Sequence, residues 1–98
     1  MQITAPTKDV CNTDPLDKKW EAFGWAVKEV DGNDVEALLA AFNNLPFEKG
    51  KPSVIIANTI KGKGVSYMEN QLKWHHGVPN NEEYELAQKE LDELLLTI

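Results

Sequence analysis

Residues 59–77 read "TIKGKGVSYMENQLKWHHG" and hold most of the side chains able to do chemistry. Gly62 and Gly64 flank Lys63, with Lys61 just before them, and His75 and His76 follow. Successive backbone N–H groups in a glycine loop can face an anion, and lysines beside it can add charge. An imidazole titrates near neutrality and can carry a proton to or from a substrate. A plainer reading stands beside each of these. A lone G-x-G with no helix directly behind it is not a P-loop or a dinucleotide fingerprint. Lysines in such loops are commonly just solvated, and a loop histidine can simply pack on Trp74. Two adjacent histidines are poorly disposed to share a metal, and no carboxylate stands at ligand spacing to them.

Other candidates are weaker. Asp31-Gly32-Asn33-Asp34 resembles the start of a calcium loop but lacks its remaining ligands and closing glutamate, so it reads better as a strand-to-helix turn. Cys11 has no activating neighbour in sequence and reads as inert.

The elements that must position these residues follow from periodicity. Asp14 and Pro15 read as the start of a helix that places Leu16, Trp20 and Phe23 on one face and stops at Gly24. The alternating stretch 25–30 reads as a strand. Asn33 and Glu36 have the spacing of a capping box for a helix with the stripe Val35, Leu38, Leu39, Phe42 and Leu45, ended by Pro46. The β-branched run 52–58 suits a strand covered on both faces. A long connection, 59–80, leads to a last helix capped by Asn80 and Glu83. Residues 1–13 read as loop, with a short strand at Gln2–Thr4. The fold class is therefore α/β, a parallel-sheet piece in the order α-β-α-β-α, with two strands whose faces and edge want partners.

Composition narrows the function classes. The 98 residues carry ten lysines, no arginine and a net charge of −6. Six acids stand against the single Lys89 between Asn81 and Ile98. No basic patch is visible, so no nucleic acid partner is expected. One cysteine excludes a disulfide framework. No stretch approaches the roughly 20 apolar residues of a membrane span, and a cytoplasmic location is expected.

Three ordered stretches, "LDKKWEAFGWAVKEVDGND", "KPSVIIANTIKGKGVSYMEN" and "WHHGVPNNEEYELAQKEL", are together more specific than any motif alone. From Gln2 to about Leu94 the chain resembles transketolase, in the distal part of its pyrophosphate-binding half, and is most similar to transketolases split into two subunits. The resemblance implies a thiamin-diphosphate fold and transfer of two-carbon ketol units between sugar phosphates, as in the pentose phosphate pathway. It implies thiamin diphosphate held through a divalent metal such as Mg, with the aminopyrimidine on a second domain or partner subunit. Lys61 matches the family lysine near the cofactor. His76, opening H-G-x-P, matches the histidine that contacts the diphosphate region and moves protons at the substrate carbonyl. Ile3 falls near the apolar position beside the thiazolium. Met1 falls where a backbone carbonyl joins the metal shell.

The family's G-D-G…N metal motif is absent, and its side-chain ligands would precede Met1. Residues 1–98 are thus expected to form a single partial domain, inactive alone. A related thiamin enzyme such as deoxyxylulose-phosphate synthase, or a non-catalytic interaction module, is the alternative; "KWEAFGW" and "WHHG" favour transketolase over the former.

Overall fold

Val54, Ile55 and Ile56 lie in a strand that finds a parallel neighbour, and the segment between the two strands has the length and apolar pattern of a crossover helix. The computed structural model describes residues 1–98. It divides into two compact units, Cys11–Thr59 and a second formed by Met1–Val10 with Ile60–Ile98.

In the first unit, β1 (Ala26–Asp31) and β2 (Ser53–Asn58) form a two-stranded parallel sheet, in register from Ala26 opposite Ser53 to Asp31 opposite Asn58. The ladder extends beyond both ends, with Ala26 N–H donating to Pro52 O at 2.9 Å and Gly32 N–H to Asn58 O at 2.7 Å. At Gly32 the chain leaves the sheet close against its neighbour. A Cβ there would lie 2.6 Å from Thr59 Cγ2 and 2.9 Å from Ala57 Cβ, so a side chain would force the strands apart. The expected parallel α/β arrangement is present. The expectation of a strand covered on both faces is not met within this chain, where Ser53–Ile56 are only half-buried.

Helix α2 (Leu16–Ala22) follows a shorter helix described below. Asp14 does not cap it; its own N–H donates to Asn12 Oδ1 at 3.0 Å, and Pro15 stands at the N-cap without a side-chain bond. The helix ends at Gly24, with φ of 90°. The Trp20 and Trp25 rings meet edge-on at 4.9 Å, whereas Phe23 remains 83% exposed despite sharing the predicted stripe.

Helix α3 (Val35–Asn43) is capped by Asp34, one residue after the expected Asn33. Asp34 Oδ1 accepts the Ala37 N–H at 3.1 Å. The shift follows from the preceding turn, where Asp31 Oδ1 accepts the Asn33 N–H at 2.9 Å and Asp31 O accepts the Asp34 N–H at 3.2 Å. These bonds make 31–34 the strand-to-helix turn and bring Asp34 to the helix entrance. Ala41 is fully buried, while Val35, Leu39 and Phe42 are exposed.

In the second unit, residues 2–5 form a turn instead of the expected strand, with Gln2 N–H donating to Ala5 O at 2.9 Å. Helix α1 (Thr7–Val10) follows, its Asp9 and Val10 N–H groups donating to Pro6 O. Pro6 suits this place because its φ is already helical and it has no N–H to satisfy. Helix α4 (Asn81–Leu95) opens with the expected capping box. Asn80 Oδ1 accepts the Glu83 N–H at 2.8 Å, and Glu83 Oε1 accepts the Asn80 N–H at 3.1 Å. No helix is long and apolar enough to cross a membrane.

The cap assignment is testable. Asp34→Ala is expected to lower stability by about 1 kcal/mol, read as a lower urea midpoint; an unchanged midpoint would contradict it.

Candidate functional site

The connection from 60 to 80 is built of nested turns. Lys61 O accepts the Asn70 N–H at 2.9 Å, so 61–70 closes on itself. Gly62 has φ of 75°, and a Cβ there would meet Met68 O at 2.5 Å and Met68 C at 2.7 Å. The closure therefore requires glycine, both for its dihedral and for the backbone it touches.

The closure has a chemical consequence. Lys63 N–H donates to Ile60 O and Val65 N–H to Gly62 O, each at 3.2 Å. Gly64 N–H donates to Glu69 Oε1 at 3.1 Å, and Lys63 Nζ lies 4.0 Å from that same oxygen. The glycine loop thus holds an internal carboxylate where the sequence offered an anion cradle. Its amides at 63, 64 and 65 are bonded within the loop, which is the plainer turn of the two readings open in the sequence.

Beyond the glycines the chain is fastened to α4. Val65 is buried. Ser66 N–H donates to Glu90 Oε2 at 2.7 Å, and Ser66 Oγ–H donates to Glu90 Oε1. Tyr67 OH donates to Glu83 O at 2.6 Å. Trp74 Nε1–H donates to Tyr67 O at 3.1 Å, and the two rings lie 5.3 Å apart. Trp74 belongs to a short 3-10 helix, Leu72–His75, with Lys73 Nζ 4.8 Å over its ring.

These ties set the electrostatics. The two donors of Ser66 hold the Glu90 carboxyl below its ordinary 4.5, the side-chain bond contributing most. Desolvation, then the nearby Glu83 and Glu90 charges, push the Tyr67 phenol upward.

Lys61 and His75 line one cleft of about 510 Å³ with Met1, Gln2, Ile3 and Thr4. Three of the four expected site residues, Met1, Ile3 and Lys61, are therefore together. His76 is not among the lining residues; it stands in extended conformation at the end of the 3-10 helix, and its neighbour His75 faces the cleft. Lys61 is half-buried and both histidines are exposed. An ammonium, an imidazole and two apolar side chains suit a ligand with an anionic end and an apolar ring. The diphosphate end of thiamin diphosphate fits that donor set. No three His, Cys, Asp or Glu side chains gather to hold a metal ion, so the cleft offers no side-chain cage for the cation that such a diphosphate carries.

Residues 2–92 match the model of the transketolase thiamine diphosphate binding domain, and the chain belongs to that family. It is 50% identical over 91 residues to one subunit of an apulose-4-phosphate transketolase from Actinobacillus succinogenes, covering 93% of this chain and 33% of that protein. It is 43% identical over 93 residues to the protein of the same name from Phocaeicola vulgatus, covering 95% and 33%. A 6-deoxy-6-sulfo-D-fructose transketolase subunit of a Clostridium species is 39% identical over 92 residues, covering 94% and 34%. The chain spans about a third of the length of these relatives.

Ser66, Glu69 and Glu90 did not stand out in the sequence. Glu90 lies 24 residues from its partner, in an acidic helix that reads as a solvated face. Its lowered pKa gives a sign to the pH dependence. The clasp stabilises the folded chain above the ordinary carboxyl value of 4.5 and is lost as pH falls through the lower native value. A carbon-13 NMR titration of the Glu90 carboxyl should show a midpoint below 4.5. A midpoint at or above that value would contradict the Ser66 contacts.

Proposed function

We propose that this chain forms part of the diphosphate-binding half of a two-chain transketolase, acting in the cytoplasm to move two-carbon ketol units between sugar phosphates. The observation that carries the reading is the meeting of Lys61, Ile3 and Met1 in one cleft, in a chain of the thiamine-diphosphate-binding family. When bound, the cofactor supplies the electron sink for carbon–carbon cleavage. Lys61 would neutralise part of the diphosphate charge, and Ile3 would pack beside the thiazolium. The Met1 carbonyl would add one oxygen to a magnesium shell. His76 would exchange a proton with the substrate carbonyl oxygen, by its place in H-G-x-P. The partner is the chain that holds the aminopyrimidine, in keeping with relatives whose names describe them as transketolase subunits.

One ammonium and one backbone oxygen give this chain little hold on the cofactor by itself. Calorimetry of the 98-residue chain with magnesium and thiamin diphosphate should show binding no tighter than roughly millimolar, about −4 kcal/mol. Micromolar binding would overturn the assignment of ligands. In an assembled enzyme carrying this segment, His76→Ala should lower turnover about 100-fold or more and His75→Ala less. The opposite order would make His75, which lines the cleft, the working imidazole.

A further inference from the structure

The same carboxylate that fastens the loop to α4 sits midway, along the chain of contacts, between Lys61 and His75 of the cleft. Ser66 follows the closed turn of Lys61, whose carbonyl is held by Asn70 and whose neighbour Gly62 receives the Val65 N–H. Tyr67 leads in the other direction, its carbonyl accepting the Trp74 indole N–H one residue before His75. Both residues are bound to α4, Ser66 through Glu90 and Tyr67 through the Glu83 carbonyl. The backbone at Gly64 also runs against the helix, since a Cβ there would lie 3.6 Å from Leu91 and 3.9 Å from Leu94. Of these ties, Glu90 makes the only paired one, giving one oxygen to the Ser66 amide and the other to its hydroxyl.

We propose that Glu90 is a positioning residue for the anion cleft: through Ser66 it holds the segment 61–75 so that Lys61 and His75 face the same ligand. This rests on the cofactor reading of the cleft and extends it to a residue that touches neither cofactor nor substrate. The geometry makes a prediction opposite in sign to simple electrostatics. Removing a negative charge from an acidic chain should strengthen anion binding by Coulomb attraction alone. Removing the clasp should weaken it, because Lys61 and His75 must then be ordered at the moment of binding.

The test uses the full chain and inorganic pyrophosphate as probe, following the His75 ring signals by NMR. Glu90→Gln and Ser66→Ala should each weaken pyrophosphate binding by about threefold to tenfold. The double variant should be no weaker than the stronger single variant, since both cut one link. Ser66→Thr keeps both donors and should bind as the unsubstituted chain does. Glu93→Gln removes a charge from the same helix without touching the loop, and should leave binding unchanged or slightly tighter. Unchanged or tighter binding by Glu90→Gln, with its thermal midpoint above the measuring temperature, would overturn the proposal. Should Glu90→Gln not fold, Ser66→Ala, which spares the amide bond, decides it by the same criterion. If the unsubstituted chain shows no response to pyrophosphate, the cofactor reading of the cleft fails and takes the positioning role with it. A response in the unsubstituted chain that survives in both single variants overturns the positioning role alone.

Discussion

One carboxylate against one serine holds the chemically useful part of this chain in place. Glu90 accepts two hydrogen bonds from Ser66 across 24 residues of sequence. Charge-assisted bonds of this kind are among the stronger polar contacts available at a surface. The turns on either side add short-range bonds, Asn70 to Lys61 upstream and Trp74 to Tyr67 downstream, and the Tyr67 hydroxyl gives a second tie to α4 at the Glu83 carbonyl. A long glycine-containing connection would otherwise be a poor platform for Lys61 and His75, since each glycine adds freedom that must be lost on ordering. The apolar contribution is small, because Val65 is the one buried apolar side chain of this unit.

The internal use of the glycine loop changes how an anion can be bound here. Glu69 takes the Gly64 amide and stands beside Lys63, so charge within the loop is already balanced. The cation left to the cleft is Lys61, outside the G-K-G triplet, together with the imidazole of His75. A point charge on a flexible stem attracts phosphate without fixing its orientation. Under the proposed reading, that weak, undirected hold leaves most of the grip on the cofactor to groups outside this segment.

What could be read in the sequence was what is local. The β-branched run at 54–56, the Asn80–Glu83 pair and Gly24 after the helix each announce their element through nearest-neighbour chemistry, and each appears as expected. Where two neighbours satisfy the same rule, pattern alone chose wrongly. Asn33 and Asp34 can both cap a helix, and the turn bonds of Asp31 decide for Asp34. Residues 1–13 show no clear period, and where a short strand was expected at Gln2–Thr4 a local turn forms instead. The family likeness named Met1, Ile3, Lys61 and His76; the first three line one cleft, and His76 is not among its lining residues. Glu90 was not legible at all, because a contact at that separation leaves no periodic trace and its helix reads as an ordinary acidic face. The exposed stripe of Val35, Leu39 and Phe42 shows the same limit from the other side: periodicity marks an apolar face without saying what covers it.

The central claim is that the glycine loop is closed on its own carboxylate and clasped to α4, leaving Lys61 as the cation for an external anion. Residue-resolved amide hydrogen exchange tests it directly, since amides bonded within a folded unit exchange slowly and solvated loop amides do not. Without any ligand, the amides of Lys63, Gly64, Val65 and Ser66 should be protected to a degree comparable with those in the middle of α4. Exchange of these four at the rate of an open loop, with protection appearing only when pyrophosphate is added, would show that the loop is an anion cradle after all.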